Sequence, residues 1–313
     1  MCNHDSSSSS SIEQEYDDYR NELLEKGLLL GSGVQGVYGL SGVFEGIVDA
    51  FEKYITRVGS ELNPEVMRFP PILNRKTYLS TDHIETMPDL MGSVHSFTGD
   101  QKTHVKMINK KLDGEDWTEE LSATDVMMVP AACYPLYPTA ANTILPKEGR
   151  LIDLRAFVFR HEPSPDPARM QIFRQREFVK LGTPAQALAH RNYWLEKGQE
   201  MLTSVGLEIE AEIANDPFFG RGGRVMAATQ KEQALKFEIV APIASKNKRT
   251  AISSSNCHLD HFGKEFNIKT PDGNDAHTAC IGFGLERITL ALLKKHGFDT
   301  EKWPPEVKQV LAI

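Results

Sequence analysis

Leu151-Ile152-Asp153-Leu154-Arg155-Ala156-Phe157-Val158-Phe159, closed by Arg160-His161-Glu162, reads as a buried strand from its β-branched and aromatic content. Side chains alternate across a strand, so Arg160 and Glu162 share one face. The loop Pro163 to Gln171 follows, and a second apolar run from about Phe173 to Leu181 predicts a return strand. Far downstream, Gly282-Phe283-Gly284-Leu285-Glu286-Arg287 opens a segment with Leu285, Ile288 and Leu292 at helical spacing. That segment ends in Lys294-Lys295-His296 and a Gly297 stop. Arg287 therefore falls in the first turn of a helix, where free backbone N–H groups and the helix dipole already favour an anion.

These two stretches resemble the second and third signature motifs of class II aminoacyl-tRNA synthetases. A looser match to the first motif covers Val43 to Gly59, where Phe44, Ile47, Phe51 and Ile55 lie at helical spacing before Pro70-Pro71. Ala251-Ile252-Ser253-Ser254-Ser255-Asn256-Cys257 resembles the ATP-contacting stretch of seryl-tRNA synthetases, with Ala251 where that family usually has glutamate. Cys133, Glu177 and Cys280 resemble the Cys/Glu/Cys zinc set of the atypical archaeal seryl enzymes. The nearest family by resemblance is the short bacterial homologues of those enzymes, the amino acid:carrier protein ligases.

The resemblance implies an α+β fold with a six- or seven-stranded antiparallel sheet flanked by helices and a helical insertion at 185–236. It implies one catalytic domain at 17–313, while the unbroken Ser6 to Ser11 run predicts a flexible leader at 1–16. For the site it implies Arg160 on the α-phosphate and substrate carboxylate, Arg287 on the γ-phosphate, Phe178 stacked on adenine and Glu162 at the base edge. Arg169, Met170, Ala251, Ile252, Ser253 and Ser254 would complete the ATP site. One zinc per subunit, on Cys133, Glu177 and Cys280, would take the amino group of a small amino acid, glycine or alanine, with Glu177 also touching the substrate. Because Glu177 and Phe178 are neighbours on one strand, a bend or bulge there, or a site wrapping round the sheet, would reconcile these roles. ATP with magnesium is the implied cosubstrate. The implied acceptor is the phosphopantetheine thiol of a small acidic carrier protein, and the first-motif region would form a homodimer.

Charge bears on the acceptor independently. The 313 residues carry 43 Asp plus Glu against 35 Lys plus Arg, a formal charge of −8. Polyanion binding rests on basic side chains, so this balance disfavours tRNA, and a core spanning 30 to 300 leaves no room for a separate tRNA-binding domain. Local basic clusters at Arg221, Arg224, Lys231 and Lys236, and at Lys246, Lys248 and Arg249, offer surfaces for an acidic protein. A tRNA-charging enzyme and a non-catalytic synthetase-like subunit are the alternatives; intact Arg160, Glu162 and Arg287 argue against the second.

The Ser6 to Ser11 run has no apolar core, no apolar stretch approaches membrane length, and Cys2, Cys133, Cys257 and Cys280 form no disulfide pattern, so a cytoplasmic protein with reduced thiols is expected. Gly31-Ser32-Gly33-Val34-Gln35-Gly36 also fits a dinucleotide-binding pattern, which needs a helix to start within it. Tyr38-Gly39-Leu40-Ser41-Gly42 instead predicts a turn-rich loop, capped by Ser41 ahead of the helix.

Overall fold

A computed structural model describes residues 6–216 and 219–313, the side chains of 6–10, 220–223 and 232 excepted. The glycine-rich stretch forms a hairpin of β1 (Leu29–Gly31) and β2 (Tyr38–Leu40) rather than a helix start, which removes the dinucleotide reading. The helix Gly42–Gly59 follows, and its Ser41 cap accepts from the Phe44 backbone N–H as expected. β3 (Glu65–Arg68) comes next. β4 (Ile72–Asn74), β5 (Ser93–Ser96) and β6 (Ser122–Met128) then build a separate three-stranded sheet in the order β4-β6-β5.

The main sheet adds β7 (Arg150–Phe159), β8 (Ile172–Gly182), β9 (Glu210–Ala214), β10 (Lys236–Pro242), β11 (Arg249–Leu259) and β12 (His277–Gly284). Its order is β3-β7-β8-β12-β11-β10-β9. Seven strands were expected at most, all antiparallel. The edge strand β3 instead pairs with β7 in parallel, so the sheet is mixed.

Helices Gly42–Gly59, Pro184–Ser204 and Leu285–His296 cover one face of this sheet. Pro184–Ser204 begins with Pro184 behind Thr183, which forms a capping box with Gln186. It lays Trp194 and Met201 fully into the core. The segment expected as a helical insertion at 185–236 thus starts with a helix that is part of the main hydrophobic layer. It ends in β9 and the helix Gly220–Glu232 at the far sheet edge.

The expected leader at 1–16 needs correction from residue 6 onward, residues 1–5 lying outside the described residues. A helix runs Ser6–Glu25, and Tyr16, Tyr19 and Leu23, at helical spacing, are buried. Tyr19 donates its hydroxyl to the Leu290 carbonyl at 2.7 Å, tying this helix to Leu285–His296. Burial of that stripe carries the serine run with it, against the weak helix preference of serine. No helix among the described residues is long and apolar enough to cross a membrane.

Candidate active site

β7 and β8 pair without a break from Arg150↔Leu181 to Phe159↔Ile172, and β8 pairs equally regularly with β12. With no bulge anywhere in β8, the period-two alternation is strict, and Phe173, Gln175 and Glu177 face a cavity of about 510 Å³ while Phe178 faces away. Phe178 is fully buried, stacked on Trp194 with ring centroids 4.4 Å apart. The expected adenine stack on Phe178 is thereby corrected. The β8 aromatic that faces the cavity is Phe173, beside Tyr134 and Phe262 from other elements, and the signal for it was the alternation counted back from Glu177.

Arg160 leaves the end of β7 and donates its Nε to the Pro130 carbonyl at 3.0 Å. Arg287, in the first turn of Leu285–His296, donates to the carbonyls of Ala168 at 2.8 Å and Ala251 at 3.0 Å. Ala251 thus meets Arg287 through its backbone. The two guanidiniums lie 5.6 and 5.9 Å from the Phe173 ring centroid. Burial, and then the charges of Arg169 and Arg160, push Arg287 down to about 10. Half-buried cations converging this way mark a place where an anion is electrostatically wanted.

The cavity wall also carries Ile252, Ser253 and Ser254, with Ser253 Oγ donating to the Gly282 carbonyl at 2.8 Å. Glu162 and Arg169 pair with each other at 3.3 Å outside this lining, and the Met170 side chain is buried in the core.

Cys133, from the turn after β6, Glu177 of β8 and Cys280 of β12 meet in one buried corner of the cavity. Cys133 hydrogen-bonds to Cys280 and to Glu177. Cys280 also receives Asn256 Nδ2 at 3.4 Å and faces His258 Nε2 at 3.6 Å, while His258 Nδ1 is 2.9 Å from Thr278 Oγ1. Burial, then the adjacent Cys280, push Glu177 up to about 8, and its Oε2 is buried without a hydrogen-bond partner. Among the described residues, no group of three or more His, Cys, Asp or Glu is arranged to hold a metal ion. The expected zinc site is therefore not supported by the geometry: Cys133 hydrogen-bonds to both Cys280 and Glu177, and Glu177 keeps one unpartnered oxygen. Their chemistry does suit zinc, with two sulfurs, a carboxylate and one oxygen left over.

Lys236 was expected at the surface. It is 8% exposed in the cavity wall, with Nζ 2.6 Å from Asp216 and 3.1 Å from Glu238. Asp216 in turn exchanges two hydrogen bonds with Gln230 of the helix Gly220–Glu232, at 2.7 and 2.8 Å. Nothing local in the sequence signals this cluster, because Asp216 lies twenty residues before its partner. Of the other basic residues, Arg224 and Lys231 are exposed, Arg249 pairs with Glu210 at 3.4 Å and Lys248 lies 5.8 Å from the Tyr16 ring; the Arg221 side chain is outside the described residues.

A strand pair ending in arginine, a glycine-rich strand feeding an arginine-bearing helix and a cavity between them define a class II synthetase core. The fold is shared with M. kandleri SerRS, solved in complex with A. aeolicus tRNASec. The TM-score is 0.80 at 21% identity, over 94% of this chain and 60% of that one. Seryl-tRNA synthetase from Pyrococcus horikoshii, complexed with ATP, gives 0.70 at 16% identity, over 94% and 62%. No family model matches. In sequence the chain is 41% identical to amino acid–[acyl-carrier-protein] ligase 2 of Bradyrhizobium diazoefficiens, over 90% of this chain and 84% of that one. It is 38% identical to ligase 1 of the same organism, over 95% and 90%. The type-2 serine–tRNA ligase of Methanopyrus kandleri is 25% identical over 86% of this chain and 54% of its own length. The chain belongs to the amino acid–[acyl-carrier-protein] ligase family.

Proposed function

We propose that this chain activates glycine or alanine with ATP as an aminoacyl-adenylate and passes the aminoacyl group to the phosphopantetheine thiol of a small acidic carrier protein. The observation that carries the reading is that one cavity holds Arg160, Arg287 and Phe173 beside the corner of Cys133, Glu177 and Cys280. One side suits a triphosphate and base, and the other suits an amine.

In the first step a carboxylate oxygen of the amino acid attacks the α-phosphorus and pyrophosphate leaves. The protein's work is to hold the groups in line and to stabilise phosphate charge. Arg160 meets the α-phosphate and the carboxylate, and Arg287, at a helix N-terminus, meets the γ-phosphate with magnesium on the polyphosphate. Phe173 offers its face to the adenine, Glu162 reads the base edge, and the backbone of Arg169-Met170 and Ala251 to Ser254 closes round the nucleotide. Zinc held by Cys133, Glu177 and Cys280 would supply a Lewis acid for the substrate amine. Second, the carrier thiolate attacks the acyl carbon and AMP leaves, giving a thioester. The acidic carrier finds cationic surface at the exposed Arg224 and Lys231.

We place residues 17–313 in one catalytic domain and infer a homodimer through the Gly42–Gly59 region. The exposed apolar residues Val43, Val66 and Phe157 there support it. A monomeric mass at micromolar concentration would contradict the dimer.

The deciding experiment supplies zinc-loaded protein with ATP, labelled glycine and alanine, total tRNA and a phosphopantetheinylated carrier together. Label on the carrier, released by a neutral thiol, is expected. Label on tRNA would make the chain a tRNA-charging enzyme, and absence of pyrophosphate exchange with every amino acid would favour a binding subunit.

A further inference from the structure

The cavity floor is a grid set by strand register. One row across the sheet runs Cys280, Asn256, Lys236 over β12, β11 and β10. The row beside it runs Glu177, Gly282, Ser254, Glu238 over β8, β12, β11 and β10. Neighbouring strands are about 4.8 Å apart, so Lys236 stands roughly 10 Å from Cys280, with only Asn256 between them. Gly282 leaves its place in the second row open, since a Cβ there would lie 3.6 Å from Glu177 Cγ and 3.9 Å from Ser254 Oγ.

The far end of both rows is closed by charge. Lys236 Nζ is held between Asp216 at 2.6 Å and Glu238 at 3.1 Å, and Gln230 fixes Asp216 from the helix Gly220–Glu232. Asp216, Gln230, Lys236 and Glu238 all line the cavity. A lysine gripped by two carboxylates has its stem pinned, so it forms a wall rather than a mobile surface arm.

From this grid we infer that Lys236, clamped by Asp216 and Glu238, is the specificity-determining wall that limits the substrate side chain to a hydrogen or a methyl group. The inference rests on the amino-acid-activating reading above. With the amine in the corner of Cys133, Glu177 and Cys280 and the carboxylate at Arg160, the α-substituent extends over β11 toward Lys236. Glycine and alanine stop over Asn256 and Ser254. A longer alkyl chain must displace the Lys236 stem or desolvate a gripped ion cluster, and either costs binding that the small substrates keep.

The test compares kcat/KM for 2-aminobutyrate with that for glycine in ATP–pyrophosphate exchange. Lys236→Ala is expected to raise this ratio by about 10- to 200-fold, the range one methylene commands in an apolar pocket. Lys236→Met, which keeps most of the stem, is expected to raise it far less. Asp216→Ala frees the lysine without emptying the wall, and about a fivefold rise is expected. It also decides the matter should Lys236→Ala not fold. Equal ratios in wild type and all folded variants, or equal loss with every amino acid, would overturn the wall. Failure of the wild type to activate any amino acid would instead overturn the activation reading.

Discussion

Glu177 and Phe178 are adjacent in β8 and live in opposite worlds. On the Phe178 side every large group has a partner: the ring stacks on Trp194, and the position of Gly59 leaves room for it, since a Cβ there would lie 2.1 Å from Phe178 Cζ. Arg176 on the same face is met by Glu52 at 2.9 Å, Asp153 at 2.5 Å and Thr56 at 3.1 Å. On the Glu177 side the carboxylate keeps an unpartnered buried oxygen, and Arg160 and Arg287 are held near each other by backbone carbonyls. The Phe178 face is filled by ring packing and ion pairs, with Arg176 Nε and Trp194 Nε1 as buried donors left over, whereas the Glu177 face sets its charged groups beside an open cavity.

The contrast predicts that substitutions on the two faces separate into stability and activity. Phe178→Ala is expected to cost about 3–5 kcal/mol of unfolding free energy by cavity formation, read by chemical denaturation. A cost under about 1 kcal/mol, with a weakened apparent affinity for ATP, would return Phe178 to the nucleotide site. Arg287→Ala is expected to lower ATP–pyrophosphate exchange by about 10²- to 10³-fold, the scale of losing one transition-state donor. Its Tm should be unchanged or higher, because burial and like charge already disfavour that cation in the folded chain. Intact exchange would remove its assigned role.

Buried histidines stand on both faces: burial pushes His83 in the cavity and His190 on the Phe178 side each down to about 4. His190 packs its Nε2 2.9 Å from the Phe178 carbonyl, and burial, against that hydrogen bond, pushes it down to about 4. The unfolded chain, with histidine near 6.5, binds the proton first, so stability falls as pH drops from about 6.5 toward 4 and is flat above. The loss from His190 is at most roughly 3 kcal/mol. His190→Gln should reduce the slope of the stability profile between pH 4.5 and 6.5, leaving the share that His83 contributes; an unaltered slope would show that His190 titrates normally.

What could be read from the sequence was local. The strand ending at Arg160, the Ser41 cap and the helix opening ahead of Arg287 and stopped at Gly297 each follow from a few consecutive residues, and all three stand in the structure. What failed needed distance or strict geometry. Giving Glu177 and Phe178 one pocket called for a bulge or a site wrapping round the sheet; β8, paired on both sides, has no bulge, and Phe178 is buried against Trp194. Lys236 looked like a loop cation because its partner Asp216 approaches only through the pairing of β9 with β10. For the inserted segment at 185–236, helices could be read from its apolar residues, but nothing in them shows that Trp194 lies on Phe178.

The finest test applies one conservative change to the same strand twice. Phe→Leu keeps an apolar side chain of similar size and removes the flat ring, so it separates packing from stacking. At Phe178 the change is absorbed as repacking and costs under about 1.5 kcal/mol of stability, with ATP binding untouched. At Phe173, which is 8% exposed and flanked by two guanidiniums, stability should hardly move. There the lost stacking, about 1 kcal/mol, should appear as roughly a fivefold rise in KM for ATP with a smaller change in kcat. If both substitutions shift Tm alike and neither shifts KM, Phe173 is a second core residue and the base lies elsewhere. If Phe173→Leu alone shifts KM, the alternation along β8 divides what holds the fold from what holds the nucleotide.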